Sequence, residues 1–562
     1  MKKIIKYLFL LTGGSFILAS CNDFLDREPL DSVTPDNFFF TENDLAAYAV
    51  KHYNFTTHEG FNAGIWRNDN ATDNQAATDY DKKWIPGQWK VPEAYDNPAS
   101  NDPWYFSAIR EANYFLETVV PRFEKGEIEG SETNIKHYIG EMYFLRAKNY
   151  LSKLETFGDF PIIKNTLPDE SASLIQASKR EPRHKVARFI LEDLDLAIGL
   201  LTNTISGGKN RITQNAALLL KSRAALYEAS WLTYHKGTAL VPGGPGWPGK
   251  AEDIADFNID TEIAFFLKEA KAAAKEVIGN AALVQNTAKD CMDETVKTDE
   301  DKYKMSNPYF AQFSANSLEG YSEILLWRAY NLLDYKIVHS APFYIRVGGN
   351  TGFTRQYVES FLCRDGKPIY ATDQYKGDES LSDVRKNRDL RLQLFLMTSG
   401  ETLSPNVMNG TPDLLPEVPQ LLDITEKRCV TGYQVRKGLS GNWYRDGNTA
   451  IEGCPVYRVA EAYLNYIEAD CMEHNGTSIG SEAAGYWGDL RERAGLPRDY
   501  TVTVNNTDLS KELDWAVYSA GKTVSPLLYN IRRERRCELL AEGLRMLDLK
   551  RWRALDQVKQ FV

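Results

Sequence analysis

The stretch Ala216-Ala-Leu-Leu-Leu220-Lys-Ser-Arg-Ala224-Ala-Leu-Tyr227-Glu-Ala-Ser-Trp231 decides the fold class. Ala216, Leu220, Ala224, Tyr227 and Trp231 recur at steps of four and three, which draws one apolar stripe down a helix. Ile135, Ile139, Met142, Tyr143, Tyr150 and Leu154 repeat the pattern upstream, and Gly158 and Pro161 end that run. Val459, Tyr463, Tyr466 and Ile467 form a third stripe, and Leu540, Leu544 and Leu547 a fourth. Ala147, Ala224 and Ala462 allow close approach between neighbouring helices. The reading is a mainly α protein of tetratricopeptide-like helix pairs with little β, although no strict 34-residue period is visible.

Between the stripes run long segments rich in Gly, Pro, Asn and Asp, at about 56–103, 233–258, 286–320, 340–385 and 400–455. Loops this long in a compact protein usually carry its function. No flexible linker divides the chain. One domain is expected over 21–562: helical repeats over about 36–232 with an aromatic loop at 56–104, loop-rich ligand-face insertions over about 300–455, and a C-terminal helical part over 456–562.

Residues 1–20 read as an export signal. Lys2, Lys3 and Lys6 form a cationic head, Tyr7 to Leu18 is uncharged and mostly apolar, and Leu18-Ala-Ser-Cys21 follows. The apolar stretch is far short of the roughly 20 residues that span a bilayer. Small residues before Cys21 match a bacterial lipoprotein box, in which the cysteine becomes the acylated N-terminus. Several acyl chains exceed the two-signal threshold for stable anchoring. The alternative is an ordinary secretory signal with an incidental cysteine.

Of 562 residues, 43% are hydrophobic, enough for a large core. A net charge of −11 argues against nucleic acid, whose phosphates require a basic face. Six cysteines follow Cys21 with no metal-knuckle spacing, and buried thiols are expected for Cys471 and Cys537. No cofactor or metal is expected. The seven histidines make no zinc spacing, and Asp69, Asp73, Asp79 and Asp81 lack the calcium-loop pattern and read as solvated loop acids. Gly244-Pro-Gly-Trp-Pro-Gly-Lys250 has phosphate-loop spacing, but Ala251 replaces the magnesium-binding hydroxyl and the prolines delete amide donors. Gly476-Thr-Ser-Ile-Gly480 spells a nucleophile elbow after a helix rather than a strand, with no histidine beyond His474 to complete it.

The run Arg532-Arg-Glu-Arg-Arg-Cys-Glu538 reads as a helix of interleaved charges, with Arg535–Glu538 and Glu542–Arg545 spaced i,i+3 beside the leucine stripe. Its wider context, Ile531-Arg-Arg-Glu-Arg-Arg-Cys-Glu-Leu-Leu-Ala-Glu-Gly-Leu-Arg-Met-Leu-Asp-Leu-Lys-Arg-Trp552, closely resembles the C-terminal signature of the SusD/RagB family of nutrient-binding outer-membrane lipoproteins. Cys21-Asn-Asp-Phe-Leu-Asp26 resembles the family's mature start. Glu141–Tyr150 followed by Phe157-Gly-Asp-Phe-Pro-Ile162 resembles its first repeat helix and exit. Asn387–Leu392, Tyr457–Ala469 and Leu490–Leu496 are similar too, although Leu390 stands where the family often has proline. The resemblance implies a helical scaffold carrying a loop-rich ligand face. It further implies a cell-surface role: capture of an oligosaccharide and delivery to a SusC-like TonB-dependent outer-membrane transporter. Asp23 and Asp26 beside the anchor are consistent with export to the exterior.

The loops point the same way. Trp66, Trp84, Trp89 and Trp104 put four of the 11 tryptophans into 39 residues, among Asp69, Asn101 and other amides and acids. Sugars offer apolar C–H faces and dense hydroxyl edges, so flat aromatic platforms beside amides and carboxylates suit them. The competing role is that these rings pin a long loop to the core. The resemblance makes Trp104, just before Ile109 to Asn113, the leading candidate. Tyr309 and Tyr344 are second-half candidates, with Trp327 weaker because it follows Glu323-Ile-Leu-Leu. The expected function is non-catalytic glycan binding. The alternatives are peptide or glycopeptide capture in the same transport system, and a surface glycosidase with two carboxylates.

Overall fold

The computed structural model describes residues 38–79, 104–287, 307–334, 336–398, 402–404, 413–414, 421–440 and 449–556. Ten helices carry the architecture: α1 (Glu42–Lys51), α2 (Ser107–Lys125), α3 (Glu132–Phe157), α4 (Arg183–Leu200), α5 (Gln214–Tyr234), α6 (Ile259–Asn280), α7 (Ala460–Glu473), α8 (Ser481–Arg493), α9 (Pro526–Glu538) and α10 (Arg545–Arg551). Side-chain caps start several of them. Thr41 and Asp44 form a reciprocal capping box on α1, Thr213 accepts from the Ala216 amide on α5, and Asn258 accepts from two amides on α6. α3 packs on α4, α4 on α5, α5 on α6 and α6 on α7, a right-through stack of tetratricopeptide-like pairs. The expected alanines at these contacts, Ala147, Ala224 and Ala462, are all buried.

Strands are few and short. β1 (Gln75–Ala77) pairs antiparallel with β3 (Thr351–Phe353), and β2 (Ile324–Arg328) pairs antiparallel with β4 (Cys454–Arg458). The first pair ties the base of the aromatic loop to the second half of the chain. A second core forms there, from Trp66, Tyr309, Phe313, Tyr357, Phe395 and Leu540 among others.

Polar groups hold the helical stack in register. Arg146 of α3 grips Asp193 of α4 (2.7 Å), and Arg183 of α4 grips Glu228 of α5 (2.8 Å). Arg223 of α5 grips Glu461 of α7, and Arg551 of α10 grips Glu468 of α7, both at 2.6 Å. Each is a forked guanidinium–carboxylate pair, with geometry that a point charge cannot supply.

The C-terminal region departs from the single charged helix expected. α9 ends at Glu538, and Ala541 and Gly543 take left-handed backbone (φ 60° and 77°) before α10 begins. A Cβ on Gly543 would lie 2.7 Å from the Asn68 Cβ, so the chain breaks where the aromatic loop's base packs against it. The expected i,i+3 pairs do not form. Arg535 binds Asp548 at 2.8 Å, and Glu538 receives Arg391, Arg458 and Arg493. Glu542 takes Lys437 and Arg458, and Arg545 takes Asp73 and Asp514. These are buried long-range bonds, because α9 runs through the interior instead of along the surface. Asp69 and Asp73 are likewise buried and not solvated as expected. Asp73 faces Arg536 and Arg545, and Asp69 accepts from the Asn74 amide at 3.1 Å. Asp79 is exposed, and Asp81 lies outside the described residues.

Cys363, Cys429, Cys454, Cys471 and Cys537 are buried free thiols. Among the described residues no helix is long and apolar enough to cross a membrane. Cys21 and the expected signal segment lie outside the described residues.

Candidate functional site

Helix α3 ends at Gly158, whose positive φ (72°) turns the chain so that Asp159 points back toward the helix terminus. One Asp159 oxygen accepts the Arg183 amide at 2.8 Å. The other accepts the indole N–H of Trp247 at 2.7 Å. Trp247 belongs to the Gly/Pro-rich loop between α5 and α6. Beneath its ring lies Gly249, where a Cβ would fall 2.2 Å from the ring carbons. The ring is therefore seated on bare backbone and fixed at its N–H edge. Among the described residues no other ring and no cation stacks on its second face.

That ring closes one side of a cleft of about 510 Å³ between the α3 terminus, residues 179–183, the end of α5 and the 239–253 loop. The volume falls in the range of small-ligand sites. Trp231 lines it by an edge only. His235 stacks on one of its faces at 4.0 Å and the Arg183 guanidinium lies over the ring at 4.2 Å. Burial holds His235 down to about 4, so this is an uncharged imidazole on an indole. The Trp231 N–H donates to the Leu240 carbonyl at 3.1 Å, so Trp231 holds the loop down while Trp247 presents a surface. Lys179 reaches across to Asp253 at 2.6 Å and straps the outer wall.

Glu155, two residues before the end of α3, also lines this cleft. Its carboxylate accepts no hydrogen bond from the described residues. Burial pushes it up to about 7, against the opposing pull of Arg223 and Lys148. Among the described residues no group of three or more His, Cys, Asp or Glu is placed to hold a metal ion.

The residues expected from sequence fall into three sets. Trp104 sits at the margin of this cleft. Its half-buried ring meets Phe157 and Phe160 edge-on at 4.9 and 4.8 Å, and the exposed guanidinium of Arg180, a cleft-lining residue, covers it at 4.7 Å. Trp66, Asp69 and Tyr309 are buried, and Tyr344 is largely covered. Trp66 packs edge-on against Phe313, the Tyr309 hydroxyl donates to Glu538, and Tyr344 packs against Phe343. Trp327 is core as well, its N–H donating to Glu319. Trp84, Trp89 and Asn101 lie outside the described residues. The sequence marks 233–258 as a long Gly/Pro-rich segment and its phosphate-loop spacing as false, but does not single out Trp247. A tryptophan framed by Pro, Gly and Lys, with no apolar stripe around it, was the signal.

Residues 296–560 match the sequence pattern of the SusD family, and residues 23–226 match that of a family described as starch-binding and associating with the outer membrane. The chain belongs to the SusD/RagB family. A SusD-like protein of Formosa agariphila is 27% identical over 96% of this chain and 89% of its own. A SusD-like protein from Bacteroides fragilis superposes with a TM-score of 0.61 at 22% identity, covering 94% of this chain and 89% of its own. A second B. fragilis structure, described as a SusD-like carbohydrate binding protein, gives 0.59 at 19% identity, covering 92% and 87%. At these identities the structures speak for the shared fold.

Proposed function

We propose that this SusD/RagB-family chain is a non-catalytic, cell-surface glycan-binding lipoprotein that captures oligosaccharide and passes it to a SusC-like TonB-dependent transporter. Family membership and the carbohydrate-binding description of a structural relative support the ligand class. The observation that carries the reading is Trp247: an indole pinned by Asp159 and Gly249 with one face left for a ligand. An apolar C–H face of a sugar stacks on such a ring, and the charged and hydroxyl groups around it meet the sugar's edges. Arg180, held over Trp104, is the group through which Trp104 shapes the cleft. Trp84, Trp89 and Asn101 remain candidates for further contacts on the same aromatic loop.

Two-carboxylate hydrolysis is the weaker reading. Glu155 is free, but Asp159 and Asp253, the other acids of the cleft, are engaged by Trp247 with Arg183 and by Lys179. Purified protein incubated with polysaccharides should release no new reducing ends.

Trp247→Ala should weaken glycan binding by about 30-fold, some 2 kcal/mol, with little change in melting temperature. Titration calorimetry against glycans chosen by array screening reads this directly, and binding at wild-type strength would remove Trp247 from the site. A peptide array run alongside addresses the alternative ligand class. Anchoring through Cys21 has its own check: Cys21→Ala should abolish incorporation of a fatty-acid probe and release the protein from the outer membrane. Co-purification with a TonB-dependent barrel after gentle detergent extraction tests the partner.

A further inference from the structure

A second cavity, of about 290 Å³, lies farther along the same pair of helices. It is walled by Leu151 and Ser152 of α3, Arg223 of α5, Tyr457 of β4 and the turn between α9 and α10. Glu155 is shared, lining both this cavity and the tryptophan cleft. Ser152 and Glu155 stand one turn apart on α3, and Arg223 and Trp231 stand two turns apart on α5, so both cavities follow one groove direction.

The charges in this second cavity cancel. Arg223 is clasped by Glu461 and Arg458 by Glu542, while Lys148 donates to the Asn54 carbonyl and side chain. Three cations face three carboxylates, and the single carboxylate without a hydrogen bond is Glu155. A uronate or sulfate placed here meets Glu155 and finds both guanidinium groups already clasped, with Lys148 alone left to face it. An uncharged polyol meets a free acceptor at Glu155 and a free hydroxyl at Ser152, with the apolar edges of Phe55 and Leu151 beside them.

We infer that the charge-balanced cavity is a second sugar subsite, continuous with the tryptophan cleft across Glu155, and that the pair takes an extended neutral oligosaccharide. Glu155 accepts hydroxyls from the sugar units that cross it. Burial there makes each such bond count, since the carboxylate has no other donor to satisfy it. The inference rests on the tryptophan cleft being a glycan site.

The test uses neutral gluco-, xylo- and manno-oligosaccharide ladders, disaccharide to decasaccharide, and an oligogalacturonate ladder, titrated against the full chain. With one neutral ladder, affinity should rise in a step once the fragments outgrow the tryptophan cleft. Ser152→Trp, which fills the second cavity from an exposed helix position, should abolish that step, and Glu155→Gln should reduce it by about three- to tenfold. Circular dichroism and melting temperature establish that both variants fold. A step that survives Ser152→Trp, or tighter binding of oligogalacturonate than of every neutral ladder, overturns the inference. If Trp247→Ala leaves the binding of every fragment unchanged, the tryptophan cleft itself is refuted. A Trp247-dependent affinity with no length step refutes only the second subsite.

Discussion

At the scale of the residue, what separates Trp247 from the other tryptophans is how much of each ring the fold has already used. Trp66 has no solvent-facing surface, Trp231 has a partner on each face, and Trp104 has phenylalanines at its edges and a guanidinium above. Trp104→Ala should accordingly cost stability first, by about 3 kcal/mol, because the Phe106–Phe157–Phe160 cluster collapses around a cavity. Thermal denaturation with a parallel binding titration separates this from Trp247→Ala. Gly249→Ala is the subtler case. The new methyl group would displace the Trp247 ring, so binding should fall while the fold stays intact. Sequence composition could place tryptophans in loops, but it could not say which rings face inward. That depends on partners such as Phe313 for Trp66, nearly 250 positions away.

At the scale of the element, the helices were legible wherever apolar residues recur at helical spacing, even in α5, which is buried nearly all the way round and not on the one stripe expected. The pattern from Ala216 to Trp231 lies inside α5, and Gly158 ends α3 as its position suggested. Legibility failed where a wrapped helix is made of charged residues. Every residue of α9 from Leu527 to Glu538 is buried, arginines included, and nothing in a run of charges announces an interior location. The break after α9 was equally hidden, because Leu540, Leu544 and Leu547 keep a helical spacing across a turn that Asn68 imposes from a distant loop. The forked pairs between helices lead to a sharp expectation. Glu228→Ala should destabilise the protein by about 3–5 kcal/mol, since it strands the buried Arg183 guanidinium. Replacing both partners with Met and Leu should cost much less, and chemical denaturation of the single and double variants measures the difference.

At the scale of the whole molecule, buried histidines and buried acids pull stability in opposite directions in mildly acidic solution. Burial lowers His58, and holds His184 and His235 down to about 4, so the unfolded chain binds protons the native state does not and this contribution grows as pH rises toward about 6.5. Burial raises Glu155 to about 7 and Asp69 to about 6, so there the native state keeps protons that the unfolded chain has released, and their contribution falls as pH rises between roughly 4.5 and 7. Glu468, Glu538, Glu542, Asp514 and Asp548 act in the opposite direction. Burial would raise them, but the surrounding guanidinium groups outweigh it and hold them low. Their contribution is complete above about pH 4.5 and is lost as pH falls further. Melting temperature against pH should fall steeply below about pH 4.5, and Glu155→Gln, by removing one contribution that falls with pH, should make stability rise more with pH between about 4.5 and 7 than it does in the wild type. The bonds from Asp73 and Asn74 to Arg536 and Arg545 also govern when this protein can finish folding. They join positions more than 460 residues apart, so a chain emerging N-terminus first can stack α2 to α6 early but must hold an uncapped acidic loop until its last helices arrive. A chain stopped before Pro526 would leave the Asp73 carboxylate without its guanidinium partners, so quality control in the envelope would meet a half-built, protease-sensitive protein rather than a shortened working one.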